Sequence, residues 1–328
     1  MRVALVFDME GTSHIDDVRE PLPMYREYWE SGREKLTNDV VAATNGLLKG
    51  GATEVWIINH HGAGDVDWPN IMLERLPDGA RMAEEWGKQA MRDHVDAMFQ
   101  VGAHARGGSP TFLSHTLGVG LRFRLDGELI SESHWWAWTG NVPVLGIVGS
   151  EGLGEERGSL RDVPFLAVQR SRSRAHAEPI FGSPSETADA IEGFALAAVR
   201  DAAARRLATP AGPIRLETSL QNGDEAAAAL ADAGWSRVSR TEFAIEAEAW
   251  RSEGEPIDNA IYAASGAAFA PYAFWFGDLD ASSQEGALAF PPDRLARSDA
   301  MLRSWSTDET PLWFEPDSDR PWEGFQAG

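Results

Sequence analysis

The chain has 328 residues, 43% hydrophobic and 24% charged, which excludes disorder as its dominant state and suffices for one large domain or two ordinary ones. Its 51 acids against 29 bases give a formal charge of -22, and this excludes nucleic acid and anionic membrane as partners, since phosphate-bearing surfaces need basic faces. Cysteine is absent, so there is no disulfide framework or thiolate metal site, and any metal falls to His, Asp and Glu.

Val3-Ala4-Leu5-Val6-Phe7 reads as a buried strand. Asp8 and Glu10 halt it, leaving a run too short and too acidic for a signal-peptide core, and no stretch approaches the roughly 20 apolar residues of a membrane span. A cytoplasmic location is expected. Thr37-Asn38-Asp39 predicts a helix cap, followed by Val40, Val41, Leu47 and Leu48 at helical spacing and a stop at Gly50-Gly51. Residues 54–59 form the second strand, a helix over 82–97 leads into a third around 98–101, and 142–148 form another. Trp135, Trp136 and Trp138 precede it at alternating positions that suggest a strand. Ser185 with residues 188–206 makes an alanine-rich helix.

This alternation of apolar runs and helical patterns is the signature of βαβ units. The expected fold is therefore α/β, a largely parallel sheet with helices on both faces, plus a smaller α+β C-terminal unit and an irregular Trp-rich tail. The first domain spans 1–207 and closes before the linker-like Thr209-Pro210-Ala211-Gly212-Pro213. A unit over 208–268 follows, with a strand at 214–220 and a helix at 224–233. Residues 269–328 form an acidic, Pro-rich tail carrying Trp275, Trp305, Trp313 and Trp322. It is expected to pack on the body or a neighbouring subunit, because indoles left in water aggregate.

Asp8 and Glu10 sit two apart at the end of the first strand, on one face, at the edge where open α/β sheets bind ligands. Alone, such a pair fits a cap or solvated turn better than a metal. His60 and His61 follow the second strand, His104 follows the third, His115 lies eleven residues further on, and Glu132 precedes the tryptophans. A single histidine is usually an ordinary hydrogen-bonded residue, as His14, His94 and His176 are read to be. Parallel strand order, however, brings these positions to one rim. Three carboxylates and a bridging hydroxide balance two divalent cations, and a donor set of only N and O suits zinc, manganese or cobalt in an open, catalytic site.

Asp8-Met9-Glu10-Gly11, Gly51-Ala52-Thr53-Glu54-Val55 leading into His61, Gly102-Ala103-His104-Ala105-Arg106, Ser114-His115 and Glu132 occur in the order and approximate spacing of the DppA-like zinc D-aminopeptidases. The chain resembles that family over 1–207 and loosely to 268. The resemblance implies two Zn2+ per chain, with Mn2+ or Co2+ as alternatives, held by Asp8, Glu10, His61, His104 and Glu132, with Asp8 as the bridge and His115 as the catalytic histidine. It also implies an aminopeptidase that releases N-terminal D-amino acids from small peptide or amide substrates with an activated water, assembled as a homo-oligomer.

The sequence departs from the family in two places. Asn59-His60-His61 stands where the family tends to show Asp-Ser-His, which keeps His60 as a second-choice ligand. Ser131-Glu132-Ser133-His134-Trp135-Trp136 replaces the usual flanking glycines, and an imidazole and indoles there favour an aromatic or planar substrate. His60, Arg106, His134, Trp135 and Trp136 are thus substrate-binding candidates. The tryptophans serve equally as core and interface packing, His134 as a turn cap, and Arg106 as a partner for one of many acids instead of a substrate carboxylate. Two other activities fit the same residues: a binuclear amidohydrolase for a non-peptide aromatic or heterocyclic amide, and a non-catalytic oligomeric binding protein on the same fold.

Overall fold

A computed structural model describes residues 1–63, 69–83, 94–118, 120–201, 209–220, 222–251, 256–269 and the single positions 296 and 299. The described residues form two compact units, one drawn from Met1–Ala105, Thr111–Leu113 and Ser133–Ala208, the other from Arg106–Pro110, Ser114–Glu132 and Thr209–Gly328. The Trp-rich tail, apart from positions 269, 296 and 299, lies outside the described residues.

The first unit is built on a seven-stranded sheet. Its strands are β1 (Arg2–Phe7), β2 (Glu54–Asn59), β3 (Ala80–Met82), β4 (Ala97–Ala103), β7 (Val144–Ser150), β8 (Phe165–Ser171) and β9 (Ala177–Pro179). Their order is β3-β2-β1-β4-β7-β8-β9, parallel except where β9 pairs antiparallel with β8. Central strands are largely apolar because both faces are covered: β4, with Gln100 as its one buried polar side chain, and β7 are buried throughout, and β1 from Val3 onward. Chain order runs outward from β1 through β2 to β3, then resumes at β4 on the other side of β1. That reversal puts a switch point at the carboxyl ends of β1 and β4, the place where open α/β sheets take ligands.

The helix predicted to start after Thr37 begins earlier, as α1 (Arg26–Gly50), and it stops as the glycine pair predicts, with Gly51 at φ 112°. Thr37 and Asp39 are mid-helix because other partners take their side chains. Thr37 Oγ1 donates to the Arg33 carbonyl at 2.6 Å, and the Asp39 carboxylate accepts from Ser13 N at 2.8 Å and Ser13 Oγ at 2.6 Å. The predicted helix over 82–97 is a strand at each end, Met82 in β3 and Ala97 in β4, and its residues 84–93 lie outside the described ones.

The tryptophans are on a helix, α2 (Glu132–Gly140), and not on a strand; a short aromatic run carries too little periodicity to separate the two. Next come α3 (Glu151–Glu155) and α4 (Pro184–Arg200). Ser183 caps α4 by accepting from Glu186 N at 3.2 Å, with Pro184 at its first position, so the helix opens ahead of Ser185 and ends at Arg200. α4 lies against α1, and glycine makes the approach feasible: a Cβ on Gly46 would fall 2.2 Å from the Glu192 carbonyl oxygen.

Asp39 carries a pH dependence. Burial pushes its carboxyl up to about 6 from 3.8, against the lowering effect of the Ser13 bonds. The folded chain therefore keeps a proton that the unfolded chain has released, and stability falls as pH rises from 3.8 to about 6. Asp39→Asn is expected to remove that loss, stabilising the fold at about pH 7.5 by at most on the order of 2–3 kcal/mol and changing little at about pH 4. Denaturant unfolding at the two pH values checks this.

The second unit holds a five-stranded antiparallel sheet of β5 (Leu121–Leu125), β6 (Glu128–Ile130), β10 (Ala211–Leu220), β11 (Ser236–Arg237) and β12 (Glu242–Ala249), in the order β11-β12-β10-β5-β6. Asp126 and Gly127, both at positive φ, turn the β5–β6 hairpin. The predicted linker is in part strand, since β10 starts at Ala211 and a register shift before Ile214 absorbs Gly212 and Pro213. The unit also holds α5 (Gly223–Asp232) and α6 (Pro256–Phe269), and Trp235 Nε1 donates to the Ala260 carbonyl of α6 at 3.0 Å. Among the described residues no helix is long and apolar enough to cross a membrane.

Candidate metal centre

β1 and β4 stay paired beyond the end of β1. Asp8 N donates to the Val101 carbonyl and Gly11 N to the Gly102 carbonyl, both at 2.8 Å. Gly102 holds φ 74°, and a Cβ there would lie 2.0 Å from the Asp8 carbonyl oxygen, so position 102 needs glycine on both counts. Gln169, on β8 and fully buried, brings Nε2 to the carbonyls of Glu10, Thr12 and Ile15 at 2.9, 3.0 and 3.1 Å. The loop bearing both carboxylates is thus fixed from two strands.

β2 delivers the histidine pair, its ladder extended when His60 N donates to the Phe7 carbonyl at 2.9 Å. β4 delivers His104. Asp8 Oδ2 lies 3.3 Å from His104 Nε2 and 3.8 Å from His60 Nε2, while Glu10 Oε1 lies 3.4 Å from His61 Nε2. Donor atoms of Asp8, Glu10 and His104 all fall within 4.8 Å of one another. Main-chain support comes from Met9 N, at 2.8 Å from Asp8 Oδ1 and 3.2 Å from Glu10 Oε2.

The electrostatics follow from burial. Asp8 and Glu10 are both buried. Loss of water, then the like charge of Glu10, pushes the Asp8 carboxyl up to about 7, with His104 and His60 opposing. Burial disfavours an imidazolium at His61, but the Glu10 and Asp8 carboxylates and the Asn70 contact together outweigh it and raise His61 to about 9. Two carboxylates buried side by side draw positive charge to themselves. With imidazole nitrogens facing them and no sulfur present, this donor set fits a divalent ion such as zinc.

Aromatic rings wall the histidines. His60 meets Trp136 edge-on at 5.2 Å and Trp135 at 5.8 Å between centroids, and His61 stacks on Trp29 at 6.0 Å. Trp135 and Trp136 are buried and pack on each other at 4.8 Å. His134 is fully buried, its Nε2 bonded to the Arg157 carbonyl at 3.0 Å and its ring against Trp138.

In the second unit His115 Nε2 lies 3.9 Å from Glu132 Oε1. Glu132 Oε1 also accepts from the amide of Leu117, which holds φ 55°, and the Leu117 carbonyl accepts from Ser265 Oγ of α6. Arg106 is half-buried, with Nη1 3.4 Å from the Gly107 carbonyl.

Within the first unit the structure therefore gathers Asp8, Glu10, His60, His61 and His104, and within the second His115 and Glu132. Asn70, whose Oδ1 lies 2.7 Å from His61 Nδ1, and Gln169 support the first group, and neither is among the candidates the sequence offers. Nothing near Asn70 marks it, for it follows a Gly, Asp and Pro stretch without periodicity, and Gln169 opens the polar end of a strand that continues with Arg170 and Ser171.

A family model for M55 peptidases, described as D-aminopeptidase, matches residues 1–253. A D-aminopeptidase of Bacillus subtilis (strain 168) is 27% identical over 185 residues, covering 53% of this chain. The match spans 66% of that relative's length. The solved structure of the Zn-dependent D-aminopeptidase DppA from Bacillus subtilis, a self-compartmentalizing protease, shares the fold with a TM-score of 0.66 and 22% identity, over 81% of this chain and 95% of that one.

Proposed function

The chain belongs to the D-aminopeptidase family of M55 peptidases, and from that membership we propose that it is a zinc-dependent aminopeptidase with a binuclear centre, releasing N-terminal residues, D-amino acids foremost, from small peptides or amides. One observation carries this proposal: a buried carboxylate pair, Asp8 and Glu10, faced by Nε2 of His104 at 3.3 Å and of His61 at 3.4 Å. Asp8, Glu10, His61 and His104 would hold the metal, with Glu132 in the place that the family resemblance gives it. When bound, zinc supplies a water acidified to a pKa of about 7 and a polarised amide carbonyl.

The protein's own groups do the rest. Asp8 and Glu10 are held by Met9 N and by the Gln169-braced loop, so their oxygens are oriented before substrate arrives. Trp135 and Trp136 keep water from the back of His60. Imidazole titrates near neutrality, which suits His115 to take a proton from the attacking water and return it to the departing amine. A homo-oligomer belongs to the same proposal, on the strength of the self-compartmentalizing relative.

Hydrolysis of D-alanine and L-alanine anilides, alongside aryl amides lacking a free amine, tests it. The expected result is cleavage of the free-amine substrates with the D form preferred, loss of cleavage on chelation, and recovery with zinc at two equivalents per chain. Preferred cleavage of the amine-free amides would move the chain to non-peptide chemistry. No cleavage of any substrate would make it a binding protein.

A further inference from the structure

We propose that Asn70 is a positioning residue for the metal centre, holding His61 in the one tautomer that presents Nε2 toward Glu10 and so setting the affinity for zinc. This rests on the zinc-dependent function proposed above. Asn70 is buried, and both ends of its amide are engaged. Oδ1 lies 2.7 Å from His61 Nδ1, and Nδ2 donates to the Ala63 carbonyl. A carbonyl only accepts, so the Ala63 contact fixes which end of the amide is oxygen and turns that oxygen to the ring. An amide oxygen carries no proton, so the hydrogen in the bond belongs to His61 Nδ1.

Nε2 is then the atom facing Glu10 Oε1 at 3.4 Å, and the Trp29 stack fixes the ring plane. His104 has the same arrangement, Nδ1 bonded to the Ala105 carbonyl at 2.9 Å and Nε2 3.3 Å from Asp8. Metal-binding histidines characteristically give their second N–H to such an acceptor, and loss of the acceptor costs roughly 10–100-fold in metal affinity. At His104 the acceptor is main chain. At His61 it is a side chain, which substitution can remove.

The test is zinc affinity of the chelator-stripped full chain, measured by competition with a chromophoric chelator, for wild type, Asn70→Leu and Asn70→Asp, with melting of each stripped protein as the fold control. Asn70→Leu, of similar volume but without an acceptor, is expected to bind zinc about 10–100-fold more weakly, and Asn70→Asp, which keeps the acceptor facing Nδ1 but gives up the Ala63 bond, to bind more tightly than Asn70→Leu. Equal affinity in Asn70→Leu and wild type overturns the proposal, as does equal weakening in both variants, which is what packing alone would give. A wild type that binds no zinc overturns the underlying function as well, so the two failures are distinct. Should Asn70→Leu not fold, long-range proton–nitrogen NMR of the zinc-loaded wild type decides: a proton on His61 Nδ1 supports the assignment, and a proton on Nε2 overturns it.

Discussion

Asp8→Asn is expected to abolish zinc uptake and to lower kcat/KM by at least about 10³-fold, roughly 4 kcal/mol of lost transition-state stabilisation. Its Oδ2 faces two imidazole nitrogens, at 3.3 and 3.8 Å, and Glu10, the other buried acid of the first unit's group, is already matched to His61 at 3.4 Å. An amide of the same shape leaves packing intact and removes the charge. In the metal-stripped chain the same change acts oppositely, because it relieves a pair of like charges held out of water, and the stripped variant should melt above stripped wild type. Elemental analysis, steady-state kinetics and melting in chelator check both halves. Retained metal and rate would remove Asp8 from the centre.

The second large effect is at His115. His115→Ala is expected to reduce kcat/KM by about 10²–10⁴-fold while zinc content stays at the wild-type level. The loop holds its shape without the ring. Ser114 Oγ donates to the Ser109 carbonyl at 2.6 Å, Gly107 N donates to Thr116 Oγ1 at 2.9 Å, and the His115 side chain is 22% exposed. Melting should therefore move little. If zinc leaves together with the activity, His115 is a ligand and not a proton carrier.

The strands that bear the site were legible in the sequence because a strand covered on both faces is mostly apolar, and a charged or histidine residue then marks where it ends. Asp8, His60 and His104 are such ends. α1 was legible at its stop, where Gly51 takes a conformation that glycine tolerates, and illegible at its start, where Tyr25 offers no side-chain cap and the cap-forming residues further on are claimed by Arg33 and Ser13. The pairing of β5 with β10, Leu125 opposite Leu216, depends on contacts that no local pattern announces. The histidine pair stayed open for a similar reason. Consecutive residues at a strand end face different neighbours, and only the fold shows His60 turned to Asp8 and His61 to Glu10.

Gln169 sends one amide nitrogen to three carbonyls of the stretch that carries Glu10, a brace made of protein groups alone. A seat set in advance by covalently distant β8 asks for little ordering when the cation arrives, so the entropy of arranging the loop is spent during folding and not again at each loading event.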